Sequence, residues 1–171
     1  MMTQQEQTLT ANDDRALREH LLYLLGGGGA HIDFEAVVAD FPVELINRKI
    51  EHIPYTPWQV LEHMRIAQWD ILEFSRNANH VSPKWPEGYW PTAGATADAT
   101  AWQRSVEAFR ADLKAMENLV EDSTTRLFEP IAHGDGQTIL REALLVADHN
   151  AYHLGVLSTL KRILTATTSD E

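Results

Sequence analysis

Apolar residues recur at intervals of three and four in four long stretches of the chain, and no stretch shows a convincing polar–apolar alternation of the kind a half-buried strand requires. The first stretch, about Ala11 to Leu25, carries Leu17, Leu21, Leu24 and Leu25, with Thr10 and Asp13 as a polar start. In the second, Thr56 is placed to cap, Pro57 suits the first helical position and Gln59 completes a capping box. It runs to about Arg76, with Val60, His63, Met64, Ala67, Ile71 and Phe74 as its inward stripe. The third, from about Ala97 to Glu121, shows Trp102, Val106, Phe109, Leu113, Met116 and Val120. The fourth, capped by Thr138 and reaching about Leu164, presents Glu142, Val146, His149, His153, Val156 and Leu160. A helix with one apolar stripe must bury it against another element, so the chain is predicted to be all-α, a four-helix bundle.

The segments between these helices differ in kind. Gly26 to Gly29 breaks the first helix, and His31 to Ile53 reads as one or two short helices, with Pro42 in a first turn and Pro54 closing the region. From Asn77 to Thr96 there are three prolines, two glycines and the aromatics Trp85, Tyr89 and Trp90. A loop of that length in a compact domain usually has a purpose: its aromatics either form a lid over a substrate or, the favoured expectation, cap the bundle end. Residues 1–171 are expected to form one domain, with residues 1–9 and 166–171 as flexible tails.

Composition excludes several functions. Lys and Arg number 14 against 25 Asp and Glu, a net charge of −11, which argues against a nucleic-acid partner whose affinity would come from clustered cations. There is no cysteine, hence no disulfide, thiolate ligand or cysteine nucleophile, and any thiol chemistry must use a thiol brought by the substrate. Met1 to Asp14 is polar and acidic, unlike a signal peptide, and no run approaches 18 apolar residues, so a cytoplasmic protein without a membrane partner is expected.

His149 and His153 lie four apart, one turn apart on the same helix face, and His63 interrupts the stripe of another helix. One histidine on an apolar face is commonly a hydrogen-bonded core residue. Three converging on one core each need partners, and a divalent ion satisfies three acceptor nitrogens at once while keeping a coordination position open. Zinc, nickel, iron and copper all accept imidazole. The sequence His149-Asn150-Ala151-Tyr152-His153 is not that of a zincin, because Asn stands where that motif places its glutamate base. Glu142, seven before His149, and Asp70, seven after His63, are weak candidates for a carboxylate behind a ligand or a proton shuttle, against a solvent-exposed reading that is favoured for both. Asn150 and Tyr152 point away from the ligand face, towards a helix neighbour or a subunit interface. His20, His31, His52, His80 and His133 are read as surface or capping residues.

The stretch Thr56-Pro57-Trp58-Gln59-Val60-Leu61-Glu62-His63-Met64, and Leu140-Arg141-Glu142-Ala143-Leu144 followed by His149-Asn150-Ala151-Tyr152-His153-Leu154-Gly155, resemble the two signature helices of the DinB-like (DinB/YfiT) superfamily. The Pro86-Glu87-Gly88-Tyr89-Trp90-Pro91 segment is similar to a subgroup feature. The resemblance spans most of the chain. It implies a four-helix bundle, frequently dimeric, that holds a divalent metal through His63, His149 and His153, with zinc or nickel favoured.

It also implies a small-molecule substrate. The most concrete version is transfer of a low-molecular-weight thiol, bound to the metal as thiolate, to an electrophile. A hydrolase using a metal-activated water and a non-catalytic, metal-stabilised or stress-associated bundle are the alternatives.

Overall fold

The computed structural model describes residues 10–168. Within them lie five α-helices and no β-strand beyond a single bridge between Pro130 and Thr138. The helices are α1 (Ala11–Leu25), α2 (Phe34–Val38), α3 (Pro57–Arg76), α4 (Ala99–Glu121) and α5 (Ile139–Thr168). None of these is long and apolar enough to cross a membrane.

The helix starts are chemically explicit. Thr10 and Thr56 each form a full capping box, with Asp13 and Gln59 respectively, and the Thr138 hydroxyl accepts from the Arg141 N–H. α4 begins two residues later than expected because Asp98, which accepts from the Ala101 N–H, is its cap. The last helix continues to Thr168. Residues 166–168, expected as the start of a tail, are therefore helical; residues 1–9 and 169–171 lie outside the described residues.

Two apolar clusters fill the bundle. One joins Leu61 and Met64 of α3, Val106 and Phe109 of α4, Leu157 and Leu160 of α5, and Phe34, Phe41 and Ile46 from the short-helix insertion. The other joins Leu21 and Leu25 of α1, Leu72 of α3, Met116 and Val120 of α4, and Ile139 and Val146 of α5. The first takes the early halves of α3 and α4 and the late half of α5, so α3 and α4 run in the same direction and α5 runs against both. α1 packs chiefly on α4 and α5 and closes the bundle opposite α3.

Parallel α3 and α4 require a connection that travels back the whole length of α3. Residues 77–98 do this in order. His80 meets Asp70, Tyr89 meets His63, Trp90 stacks on Tyr55, and Ala97 exchanges two hydrogen bonds with the Asn47 side chain, 2.7 and 2.9 Å long. The segment expected to cap the bundle end is thus a crossover lying along the α3 face.

The polar ends of helices are closed over long sequence distances. The buried Arg18 of α1 donates to the carbonyls of Val120 and Asp122 at the end of α4 and of Thr125 in the turn beyond it, and is held there by Asp14. Lys161 of α5 donates to the carbonyls of Val37 and Ala39 at the end of α2. Each cation sits where the last carbonyls of a helix point and where its dipole is negative.

Candidate metal centre

His63 projects from the second turn of α3, and His149 and His153 from successive turns of α5, across the antiparallel α3–α5 contact. The pairing brings one ring nitrogen from each of the three to within 4.8 Å of the others. Nε2 of His63 and Nε2 of His149 stand 3.2 Å apart. His63 is buried, and the other two are half-buried, so the cluster has a closed side and an open side.

The second ring nitrogen of His63 is already committed. Its Nδ1–H donates to the Tyr89 carbonyl at 2.8 Å, which leaves Nε2 as a lone pair facing His149. Trp90 lies on the His63 ring with centroids 3.9 Å apart and planes 1° from parallel, and Tyr55 stacks with Trp90 in turn. The Tyr89 phenol is anchored in turn: its O–H donates to Asp70 Oδ2 at 2.5 Å, and Asp70 Oδ1 accepts from His80 Nε2 at 2.7 Å. Burial and the adjacent carboxylate push the Tyr89 hydroxyl up to about 12, so it remains a donor. Gly88 makes the turn into this segment possible, because a Cβ there would meet Pro83 Cβ at 2.8 Å.

Burial favours the neutral form of all three imidazoles. It lowers His63 against the opposing effect of the Tyr89 hydrogen bond, and with the neighbouring imidazoles it lowers His149 to about 4 and His153 to about 3. At neutral pH the cluster is therefore a set of uncharged nitrogen donors. One observation fits a cation and does not fit a self-contained hydrogen-bond network. His153 Nδ1 is buried with no hydrogen-bond partner. Imidazole nitrogens suit a divalent ion bound at about 2.0–2.1 Å, towards which they would draw in from separations of up to 4.8 Å.

Other expectations fare differently. Asp70 and Glu142 are both buried, not solvent-exposed, yet neither joins the ligand group. Asp70 acts two steps away, through Tyr89 onto His63, and Glu142 pairs with Arg141. His80 is a buried partner of Asp70, where a surface or capping position was expected. His133 is the cap it was expected to be, donating from Nε2 to the Phe74 carbonyl near the end of α3, while His20, His31 and His52 are exposed. Asn150 turns to a helix neighbour, donating to Gln68, and Tyr152 is exposed beside His153. The aromatic trio divides: Trp90 and Tyr89 build the His63 surround, whereas Trp85 points to solvent.

A family model described as the DinB superfamily matches residues 30–157, about three quarters of the chain. The chain belongs to the DinB superfamily. No curated protein and no solved structure matches it at a significant level. All three clustered histidines of this DinB-superfamily chain, and the crossover that surrounds His63, fall within the matched span.

Proposed function

We propose that His63, His149 and His153 hold one divalent metal ion and that the chain is a metal-dependent enzyme that transfers a low-molecular-weight thiol to an electrophilic small molecule. The observation that carries this is the convergence of three neutral imidazole nitrogens on one partly open point, with His153 Nδ1 buried and without a partner. An ion bound there supplies Lewis acidity, which lowers the pKa of a thiol placed beside it.

The chain's own residues supply the rest. The Tyr89 carbonyl fixes the tautomer and orientation of His63, and Trp90 excludes water from that ring face. Burial keeps His149 and His153 unprotonated, so the donors are available without a competing proton. Thiol transfer is favoured over hydrolysis because a water nucleophile is ordinarily served by a nearby general base. The two carboxylates singled out for that role, Asp70 and Glu142, are engaged elsewhere. A protein without cysteine also has no thiol of its own to compete for the ion. Zinc or nickel is the proposed metal, and a homodimer, to be checked by light scattering, belongs to the same proposal.

The test has two stages. Metal content is measured by mass spectrometry on protein purified without chelator or metal column, beside the His149→Ala/His153→Ala double variant. One equivalent in the parent and none in the variant is expected. Thiol consumption is then followed against a panel of electrophiles, with and without chelator. Metal-dependent loss of thiol is the expected result; a loaded protein that releases hydrolysis products and consumes no thiol would instead assign it to hydrolysis.

A further inference from the structure

Among the described residues, two buried side-chain polar atoms lack a hydrogen-bond partner, Asn150 Oδ1 and His153 Nδ1, and both belong to α5. Residues three apart on a helix are neighbours on its surface, with Cβ atoms about 5–6 Å apart, and a long side chain leans towards the turn before it, here from His153 towards Asn150. Each of the two atoms is a pair of bonds beyond its Cβ, so ordinary side-chain rotation suffices to join them. Neither is open to solvent, and a partner for either must come from within the protein.

The orientation of Asn150 is dictated from a distance. The Phe109 main-chain carbonyl accepts from Gln68 Nε2 at 2.8 Å, which turns Gln68 Oε1 towards α5. That oxygen accepts from Asn150 Nδ2, also at 2.8 Å. A carbonyl can only accept, so neither amide is free to flip, and the atom Asn150 has left over is an acceptor. What it lacks is a donor, and its absence costs free energy.

The chemistry of the histidine cluster says which nitrogen of His153 carries a proton. His63 spends Nδ1–H on the Tyr89 carbonyl and keeps Nε2 free, and Nε2 of His149 lies 3.2 Å from that atom. A third ligand offered in the same way presents Nε2 and holds its proton on Nδ1. A ligating histidine ordinarily donates that second N–H to a carbonyl or carboxylate, which fixes the ring. His63 has such an acceptor in Tyr89, and the acceptor without a donor beside His153 is Asn150 Oδ1. With the proton on Nε2 instead, both buried atoms would be acceptors and neither could satisfy the other.

We infer that Asn150 is the positioning residue of His153, its Oδ1 accepting from Nδ1–H and so holding Nε2 towards the metal ion. This rests on the metal reading given above and extends it to a residue outside the ligand set. While the ring nitrogens of the cluster lie as far as 4.8 Å from one another the bond is open, and it closes as the rings draw in on an ion. The crossover then sets the rotamer of His63, and the α4 main chain, through Gln68 and Asn150, sets that of His153.

The experiment loads the full chain, 15N-labelled at histidine, with zinc and records long-range 1H–15N spectra. His153 is expected to bind zinc through Nε2 and to carry a slowly exchanging proton on Nδ1, with a nuclear Overhauser contact from that proton to the Asn150 side chain. The Gln68→Leu/Asn150→Leu variant exchanges the amide pair for apolar groups of similar size, so neither amide is left half-paired. It should bind zinc about tenfold more weakly and lose the slow exchange at His153 Nδ1, while His63 Nδ1–H keeps its own. Retention at His63 separates positioning from loss of fold; should the variant not fold, the tautomer and the Overhauser contact in the unaltered chain decide alone. Zinc bound through His153 Nδ1 overturns the inference and leaves the metal site standing, as does an Nδ1 proton without contact to Asn150, or a folded variant of unchanged affinity. Failure of the unaltered chain to take up zinc is a different result, which removes the metal reading for zinc and overturns this inference with it.

Discussion

At the scale of single residues, the histidine cluster is shaped by a main-chain oxygen. His63 is oriented by the carbonyl of Tyr89, which Asp70 restrains through the phenol of the same residue. Tyr89→Phe and Asp70→Asn should each weaken metal affinity by about tenfold, the low end of the range for groups that orient a ligand. Competition against a chelating dye measures this, and chelated variants that melt near the chelated parent would separate positioning from folding. The proton chemistry has a definite sign. Burial holds His149 and His153 down to about 4 and about 3 in the folded chain, below the ordinary imidazole value of 6.5, so as pH falls the unfolded chain takes up these protons first. Metal-free protein should hold this contribution in full above about pH 6.5 and lose it on descending towards pH 3. Urea unfolding at pH 7, 5.5 and 4.5 tests it, and the His149→Gln/His153→Gln variant should show a shallower decline. Helical spacing made the three histidines visible in the sequence. The Tyr89 carbonyl was not visible, because every residue carries such a group and no side-chain pattern marks the one that will be used.

At the scale of elements, the caps and the α4 seam were readable, and of that seam only Leu113 is less than fully buried. The stripes of α1, α3 and α5 were only partly so. Leu24 is 45% exposed, because α1 packs chiefly on α4 and α5 and has a narrow buried edge. α3 is wedged between α4, α5 and the crossover, so Leu61, Gln68 and Leu72 are buried beyond its expected stripe. On α5 the histidines mark the border of the buried arc, and Leu154 and Leu157 carry it. Arg18 was also missed, because nothing local shows that a cation in α1 will meet the end of α4. Arg18→Ala should destabilise the fold by about 2–3 kcal/mol, since it leaves the buried Val120 carbonyl, and the part-buried carbonyls of Asp122 and Thr125, without this donor. Denaturant unfolding gives the value, and a loss below about 0.5 kcal/mol would mean that water replaces the guanidinium.

At the scale of the whole molecule, two apolar clusters meet across a polar layer formed by Gln68 and Asn150, and neither cluster depends on the histidine nitrogens. Chelation should therefore leave the far-ultraviolet circular dichroism at 20 °C unchanged while lowering Tm by several degrees, since a ligand that binds only the folded state adds to its stability. Loss of helical signal on chelation would show instead that the bundle cannot form without its ion. The direction of α4 was left open by the sequence, because helix length and stripe do not say whether a 20-residue loop turns back or returns along its neighbour.

That return has a consequence for the order in which the chain is made. His63 and its crossover partners Tyr89 and Trp90 lie close in sequence, whereas His149 follows His63 by 86 residues. On the ribosome the aromatic half of the pocket can assemble while α5 is still unsynthesised, and a chain halted before residue 149 presents one imidazole where three are needed. Firm retention of an ion thus becomes a signature of a finished chain, acquired when the last helix docks.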